Sequence, residues 1–223
     1  MASVISKTAI GLQQQGNLQV KCPDAPASRD GVATLWVILS LPICLTILVT
    51  VIEIGSLWSA RSELCTALES AALAGVKTWG DGIEAGVSAV PATSAARQAA
   101  AATFAANTVG GTSWTLDLND SGTASSHGNL SCSGEIILGG MLPGSTAVDS
   151  GLAPLCGSGT DVEYCVVTRK VLTISTVCSE LFGVPIGPFQ ISAQAAARAG
   201  CTGTGATVAN PAVGHISSLS CAE

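Results

Sequence analysis

Charge is scarce in this chain: Asp, Glu, Lys and Arg make up 11% of its 223 residues, and the formal net charge is -6. With no basic field to attract a polyphosphate backbone, no nucleic-acid partner is expected. Aromatic residues reach only 4%, so a core must be built from small and aliphatic side chains. Histidine occurs twice, as His127 in "SSHGN" and His215 in "VGHISS", each among small polar residues of loop character. A nucleophile needs a base within hydrogen-bond reach, and two isolated loop histidines supply little of that chemistry. The chain also lacks a G-x-S-x-G elbow, an H-E-x-x-H helix and a phosphate-cradling Gly-rich loop with Lys. "DLNDSG" from Asp117 to Gly122 spaces its oxygens as a calcium loop would. Its twelfth position is Gly128 instead of a bidentate Glu, so it reads as an Asx-type turn. The expectation is a protein that is not an enzyme, with no cofactor, no metal and no small-molecule substrate.

What the chain does have is one long apolar run. From Val32 to Ile52 there are 21 uncharged residues, bounded by Arg29 and Asp30 before and by Glu53 after. At 1.5 Å per residue such a helix covers roughly 30 Å, the thickness of a bilayer core. Thr34, Ser40, Thr46 and Thr50 can bond back to carbonyls of their own helix, and a bilayer tolerates a kink at Pro42. A secretory signal does not fit, because the run starts too far in, is too long and lacks a small-x-small cleavage site. Lys7, Lys21 and Arg29 precede the span, whereas Arg61 and Lys77 follow it, which favours an N-terminus inside and the bulk of the chain outside the cytoplasm. Three regions follow: a cytoplasmic leader over 1–30, a transmembrane and extended helix over 31–78, and an extracytoplasmic α+β domain over 79–223.

Seven of the nine cysteines lie beyond the run. Cys132, Cys156, Cys165, Cys178, Cys201 and Cys221 have no C-x-x-C pair among them and suit a disulfide framework better than a zinc site. Six cysteines allow 15 connectivities, and the sequence does not choose. Cys65 is left over, to stay a thiol, to join a second copy, or to displace one of the six. Cys22 and Cys44 are expected to be unpaired.

Past the run, Leu57, Leu64, Leu68, Ala71 and Gly75 recur at helical spacing, so the helix is expected to continue to about Lys77. This narrow stripe would pack either on the protein's own domain or on neighbouring helices. A turn is expected at "WGDG", then a second helix from about Ala92 to Asn107, closed by Gly110 and Gly111. "SWTLDL", "EIILGG" and "DVEYCVVTRKVLTIS" read as strands, the last with Tyr164, Val166 and Thr168 on one face. "FQISAQAAARAG" reads as a further strand in preference to an Ala-driven helix. The fold class is therefore α+β: a long N-terminal transmembrane helix, then a small disulfide-rich domain with one further helix and a mainly antiparallel sheet.

A Gly before a long apolar run, a short polar hinge and then R-x-x-L-x-x-A-x-[DE]-x-A-A-L-A-G resemble the N-terminal segment of the TadE/TadG-like Flp pilus-assembly family. The matching residues are Gly31, Arg61, Leu64, Ala67, Glu69, Ala71, Ala72, Leu73, Ala74 and Gly75. The resemblance covers residues 28 to 78. It implies a single-pass protein of the bacterial inner membrane that acts as a pseudopilin-like or scaffold component of Flp (tight-adherence) pilus assembly. Its partners would be the membrane and other envelope or pilus-assembly proteins, met through helix packing. It also implies prepilin-type cleavage between Gly31 and Val32. Trp36 stands where related prepilins carry a Glu, which argues against a bulk fibre subunit. The D-x-S-x-S metal motif of the larger TadG-type proteins is missing, so metal-dependent adhesion is not implied. The alternative is a membrane-tethered extracytoplasmic binding or adhesion module unrelated to pili.

Overall fold

The computed structural model describes residues 30–118, 134–156, 161–176, 187–202, 207–208, 211–214 and 218–220. The chain divides into two compact units, residues 1–47 and 48–223. Helix α1 spans Asp30–Glu84 and contains Pro42, which costs one backbone bond without ending the helix. Within the first unit the apolar run is helical and exposed, with Leu35 at 59% and Trp36 at 69%. Its hydroxyls bond back as expected: Ser40 Oγ donates to the Val37 carbonyl at 3.2 Å and Thr46 Oγ1 to the Pro42 carbonyl at 2.8 Å. Among the described residues α1 is the one helix long and apolar enough to cross a membrane.

In the second unit, α2 spans Ala89–Ala105 and is joined to α1 by a four-residue turn. Its buried face reads Ala92, Thr93, Ala96, Arg97, Ala100 and Phe104, with methyl-sized residues one turn apart, so its backbone can approach closely. Two short strands follow, β1 (Thr108–Val109) and β2 (Thr112–Ser113). They pair around Gly110 and Gly111, whose φ values of +59° and +74° are those of a two-residue primed hairpin turn. The remaining strands are β3 (Ile136–Met141), β4 (Ala147–Asp149), β5 (Glu163–Ile174), β6 (Phe189–Ala199), β7 (Cys201–Thr202), β8 (Thr207–Val208), β9 (Ala212–Gly214) and β10 (Ser218–Ser220).

Six of them form one sheet in the order β10-β4-β3-β5-β6-β9, antiparallel except for the β10–β4 pair, and β7 pairs with β8. Period-2 alternation divides the residues of β5 between two clusters. Tyr164, Val166 and Leu172 join Ile136, Leu138, Ile191 and Ala197 in the core that includes α1 and α2. Cys165 and Val167 join Ile137, Met141, Val148 and Ala196 in a second cluster. The α+β class, the second helix, "EIILGG", the long β5 and the strand at "FQISAQA" are all present as expected.

Three expectations are corrected. "WGDG" does not turn. α1 runs through it to Glu84 because Trp79 is buried and meets Tyr164 edge-on at 5.0 Å, and that burial outweighs the helix cost of Gly80 and Gly82. "SWTLDL" is strand only as far as Ser113. The Asp117 N–H donates to Glu135 Oε2 at 2.7 Å instead of to a ladder, while Leu116 is buried against the core. "Disulfide-rich" is too strong: among the described residues the disulfide is Cys156–Cys201, and Cys44, Cys65 and Cys165 are free.

Candidate functional site

The residues that carry the family resemblance lie on the stretch of α1 that enters the domain. Leu64, Ala67, Ala71, Ala72 and Gly75 are buried, Leu73 and Ala74 half-buried, and Arg61 and Glu69 exposed. With Leu68, Val76 and Trp79 the buried positions repeat every three or four residues and form one stripe. The stripe therefore packs on the protein's own domain, which decides between the two options the sequence left open. Gly75 marks the tightest point. A Cβ there would stand 3.2 Å from Val166 Cγ1, 3.3 Å from Ala100 Cβ and 3.4 Å from the Ala96 carbonyl oxygen. Here α1, α2 and β5 converge, and hydrogen is the side chain that lets them do so.

Polar contacts fix the same junction. The Thr168 hydroxyl donates to the Leu68 carbonyl at 2.9 Å, and the Gly110 N–H donates to Glu63 Oε2 at 2.8 Å, tying the β1–β2 hairpin to α1. Burial raises the Tyr164 pKa, and Glu84, at the end of α1, adds to the rise.

Nearer the apolar run, α1 carries features that the sequence did not announce. Glu53 is 7% exposed, and among the described residues neither side-chain oxygen has a hydrogen-bond partner. Five residues on, Trp58 is 77% exposed. An amphipathic ring just beyond an apolar run is the side chain expected at a membrane–water interface. Arg61 then lines an open cleft of about 590 Å³ with Glu135, Arg169, Lys170, Val171, Ser192, Ala193 and Gln194. In it Lys170 Nζ pairs with Glu135 Oε1 at 2.6 Å, and Arg169 Nε donates to the Gly134 carbonyl at 2.9 Å. The signal for Glu53 was its position as the first charge after the run; nothing local signals its burial.

Of the six disulfide candidates, Cys156 and Cys201 are bonded, closing 45 residues between the segment after β4 and the start of β7. Cys165 is corrected to a free thiol. It lies on the sheet among Ile137, Met141, Val148, Val167 and Ala196, with no second cysteine beside it among the described residues, and it packs as a small apolar side chain. Burial pushes its thiol up to about 12; Glu163 adds to the shift and Arg198 opposes it. A thiol held protonated in this way is inert. Cys132, Cys178, Cys221, Cys22, His127 and His215 lie outside the described residues. Gly31 and Val32 occupy the first turn of α1. Among the described residues no group of three His, Cys, Asp or Glu could hold a metal ion.

Fold and site thus define a protein with one candidate membrane span whose helix continues as a buried strut of an α+β domain. Residues 31–106 match the family model described as "Putative Flp pilus-assembly TadE/G-like", which bears out the resemblance read from the sequence over that segment. The match runs beyond residue 78 to the end of α2, the helix that Gly75 meets. No curated protein and no solved structure matches the chain. The matched segment supports involvement in Flp pilus assembly, and the one candidate span among the described residues, near the N-terminus, fits a single-pass membrane protein.

Proposed function

We propose that this protein is a permanently anchored, pseudopilin-like or scaffold component of Flp pilus assembly in the bacterial inner membrane. Its N-terminus lies in the cytoplasm and its domain outside, and its role is structural, without catalysis. One observation carries the reading: the matched segment, residues 31–106, comprises an exposed apolar run followed by a motif that is spent on the domain's own core. A helix committed in this way at Leu64–Gly75 has no apolar stripe left there for packing into a fibre. The run before it stays open to lipid or to other spans. Trp36 supports the same side of the distinction between scaffold and fibre subunit.

The test is an in-frame deletion in the source bacterium, complemented by the intact gene and by a version whose residues 32–52 are replaced by an unrelated span of equal length. Loss of Flp pili on deletion, with the protein retained in the inner-membrane fraction and absent from sheared pili, is the expected result. Normal piliation on deletion would overturn the reading in favour of a membrane-tethered binding or adhesion module. Failure of the replaced span to restore pili would assign the partner contact to the bilayer. The intact mass of the membrane form separates a full-length anchor from a chain starting at Val32.

A further inference from the structure

Strand β5 runs along α1 towards the apolar run. Its Tyr164 ring meets Trp79 edge-on, its Thr168 hydroxyl meets the Leu68 carbonyl, and its last residue, Ile174, stands with Ala60 beside Gly110. The two elements keep step: from Tyr164 to Ile174 the strand covers about 33 Å, and from Trp79 to Ala60 the helix covers about 29 Å. Phe189 is paired with Ile174, so the start of β6 lies at the same level. Ser175 and Pro188 line one cleft with Ser56, a turn nearer the run than Ala60.

The cover of α1 reaches lower still. Glu53 is 7% exposed, although it directly follows Ile52, the last of the uncharged run. A bare helix leaves a glutamate side chain open, so other atoms of the protein lie against α1 at this level. With residues 32–52 in the hydrocarbon, the headgroup layer is about 5 to 8 Å thick and spans the next three to five helix residues. Whatever covers Glu53 is therefore at headgroup depth.

Two exposed aromatic rings stand close to that depth, Trp58 at 77% and Phe189 at 40%. Trp58 is two residues from both Ser56 and Ala60, which face the domain, so it projects from the opposite side of the helix. Helical side chains lean towards the N-terminus, which here is towards the bilayer.

We propose that the tip of the domain made by the end of β5 and the start of β6 sits in the headgroup layer of the bilayer that α1 crosses, with Phe189 and Trp58 touching lipid on the two sides of the helix. Contacts on both sides restrain the tilt of α1 and hold the domain at a fixed height over the membrane. The proposal rests on the reading of residues 32–52 as a span.

The test is photocrosslinking of the full-length protein in vesicles of phosphatidylethanolamine and phosphatidylglycerol, with benzoylphenylalanine placed singly at positions 45, 58, 87 and 189 and lipid adducts counted by mass spectrometry. Leu45 lies within the run, and Val87 is exposed just past the far end of α1. Positions 58 and 189 should each give at least ~10-fold more lipid adduct than position 87. Should the variant at 189 fail to fold, the neighbouring exposed Gln190 takes its place. Lipid adducts at 45 and 58, with 189 and 190 no higher than 87, would overturn the proposal, because the domain would then stand clear of the bilayer. Adducts from 189 to a second copy in place of lipid would overturn it in favour of a protein contact. No lipid adduct at 45 would remove the span itself, and the proposal with it.

Discussion

The hydroxyl of Thr168, on β5, donates to the carbonyl oxygen of Leu68, on α1, at 2.9 Å across 100 residues of sequence, and both residues are completely buried. Within a helix that carbonyl already serves the N–H four residues on, so Thr168 uses its second lone pair. The bond sets the height of β5 along α1 without depriving the helix of anything. Thr168→Val removes the donor and leaves no orphan, so the expected loss is about 0.5 to 1.5 kcal/mol, read from urea denaturation in detergent. Amides around Leu68 should exchange faster in the same variant.

Gly75 should tolerate one carbon and no more. The contacts of 3.2 to 3.4 Å can be relieved by a few tenths of an ångström, and a helix gains up to ~1 kcal/mol when Gly becomes Ala. Gly75→Ala is therefore expected to change stability by less than about 1 kcal/mol. Gly75→Leu drives three further carbons into Val166, Ala96 and Ala100 and should cost about 1 to 3 kcal/mol or more. Thermal melts of the two variants side by side test the contrast.

Reduction of Cys156–Cys201, or Cys156→Ser with Cys201→Ser, should cost about 2 to 4 kcal/mol, because a loop of 45 residues regains its freedom in the unfolded chain. Thiol labelling of the native reduced protein should modify these two positions before Cys165, whose sulfur stays protonated and buried.

Alkaline pH should destabilise the domain in a defined window. Cys165 carries a folded-state value of about 12 against an ordinary 9.0, and Tyr164 is raised from 10.0. Below pH 9 both groups are protonated in both states and cost nothing. Between pH 9 and 12 the unfolded chain releases the Cys165 proton while the native state keeps it, so stability falls with rising pH, and Tyr164 adds to the fall above pH 10. Denaturation midpoints from pH 8 to 11.5 should decline, and Cys165→Ala should flatten the part that begins near 9.

Both side-chain oxygens of Glu53 are buried, and among the described residues neither has a hydrogen-bond partner. Replacing it with Met, of similar volume, should raise stability by about 1 to 3 kcal/mol in denaturant titration. A complemented strain reports separately whether that gain comes with a loss of piliation.

Much of this architecture is legible in one dimension because its signals are local. The uncharged run of residues 32–52, the Ala-rich pattern of α2 and the alternation that puts Tyr164, Val166 and Thr168 on one face each depend on a single periodicity. The misreadings share the opposite property. "WGDG" has turn composition, but Trp79 meets Tyr164, 85 residues on, and the helix continues. "SWTLDL" alternates like a strand, yet its Asp117 N–H is taken by the side chain of Glu135. Cys165 was grouped with its five neighbours in sequence by count alone, whereas the pleat places it among aliphatic side chains. The burial of Glu53 could not be read at all, because nothing beside it in the sequence signals it.

The closing of the α1 stripe by β5 and β6 also orders events in time. Leu64, Leu68, Ala71 and Trp79 are made early, but the strands that cover them end only at Ile174 and Ala199. Until about 120 further residues have been synthesised, the nascent domain shows its apolar stripe uncovered. Assembly of this domain is therefore a late step, gated by arrival of the second half of the chain, and a polypeptide stopped before Ala199 presents a sticky helix to whatever else is nearby.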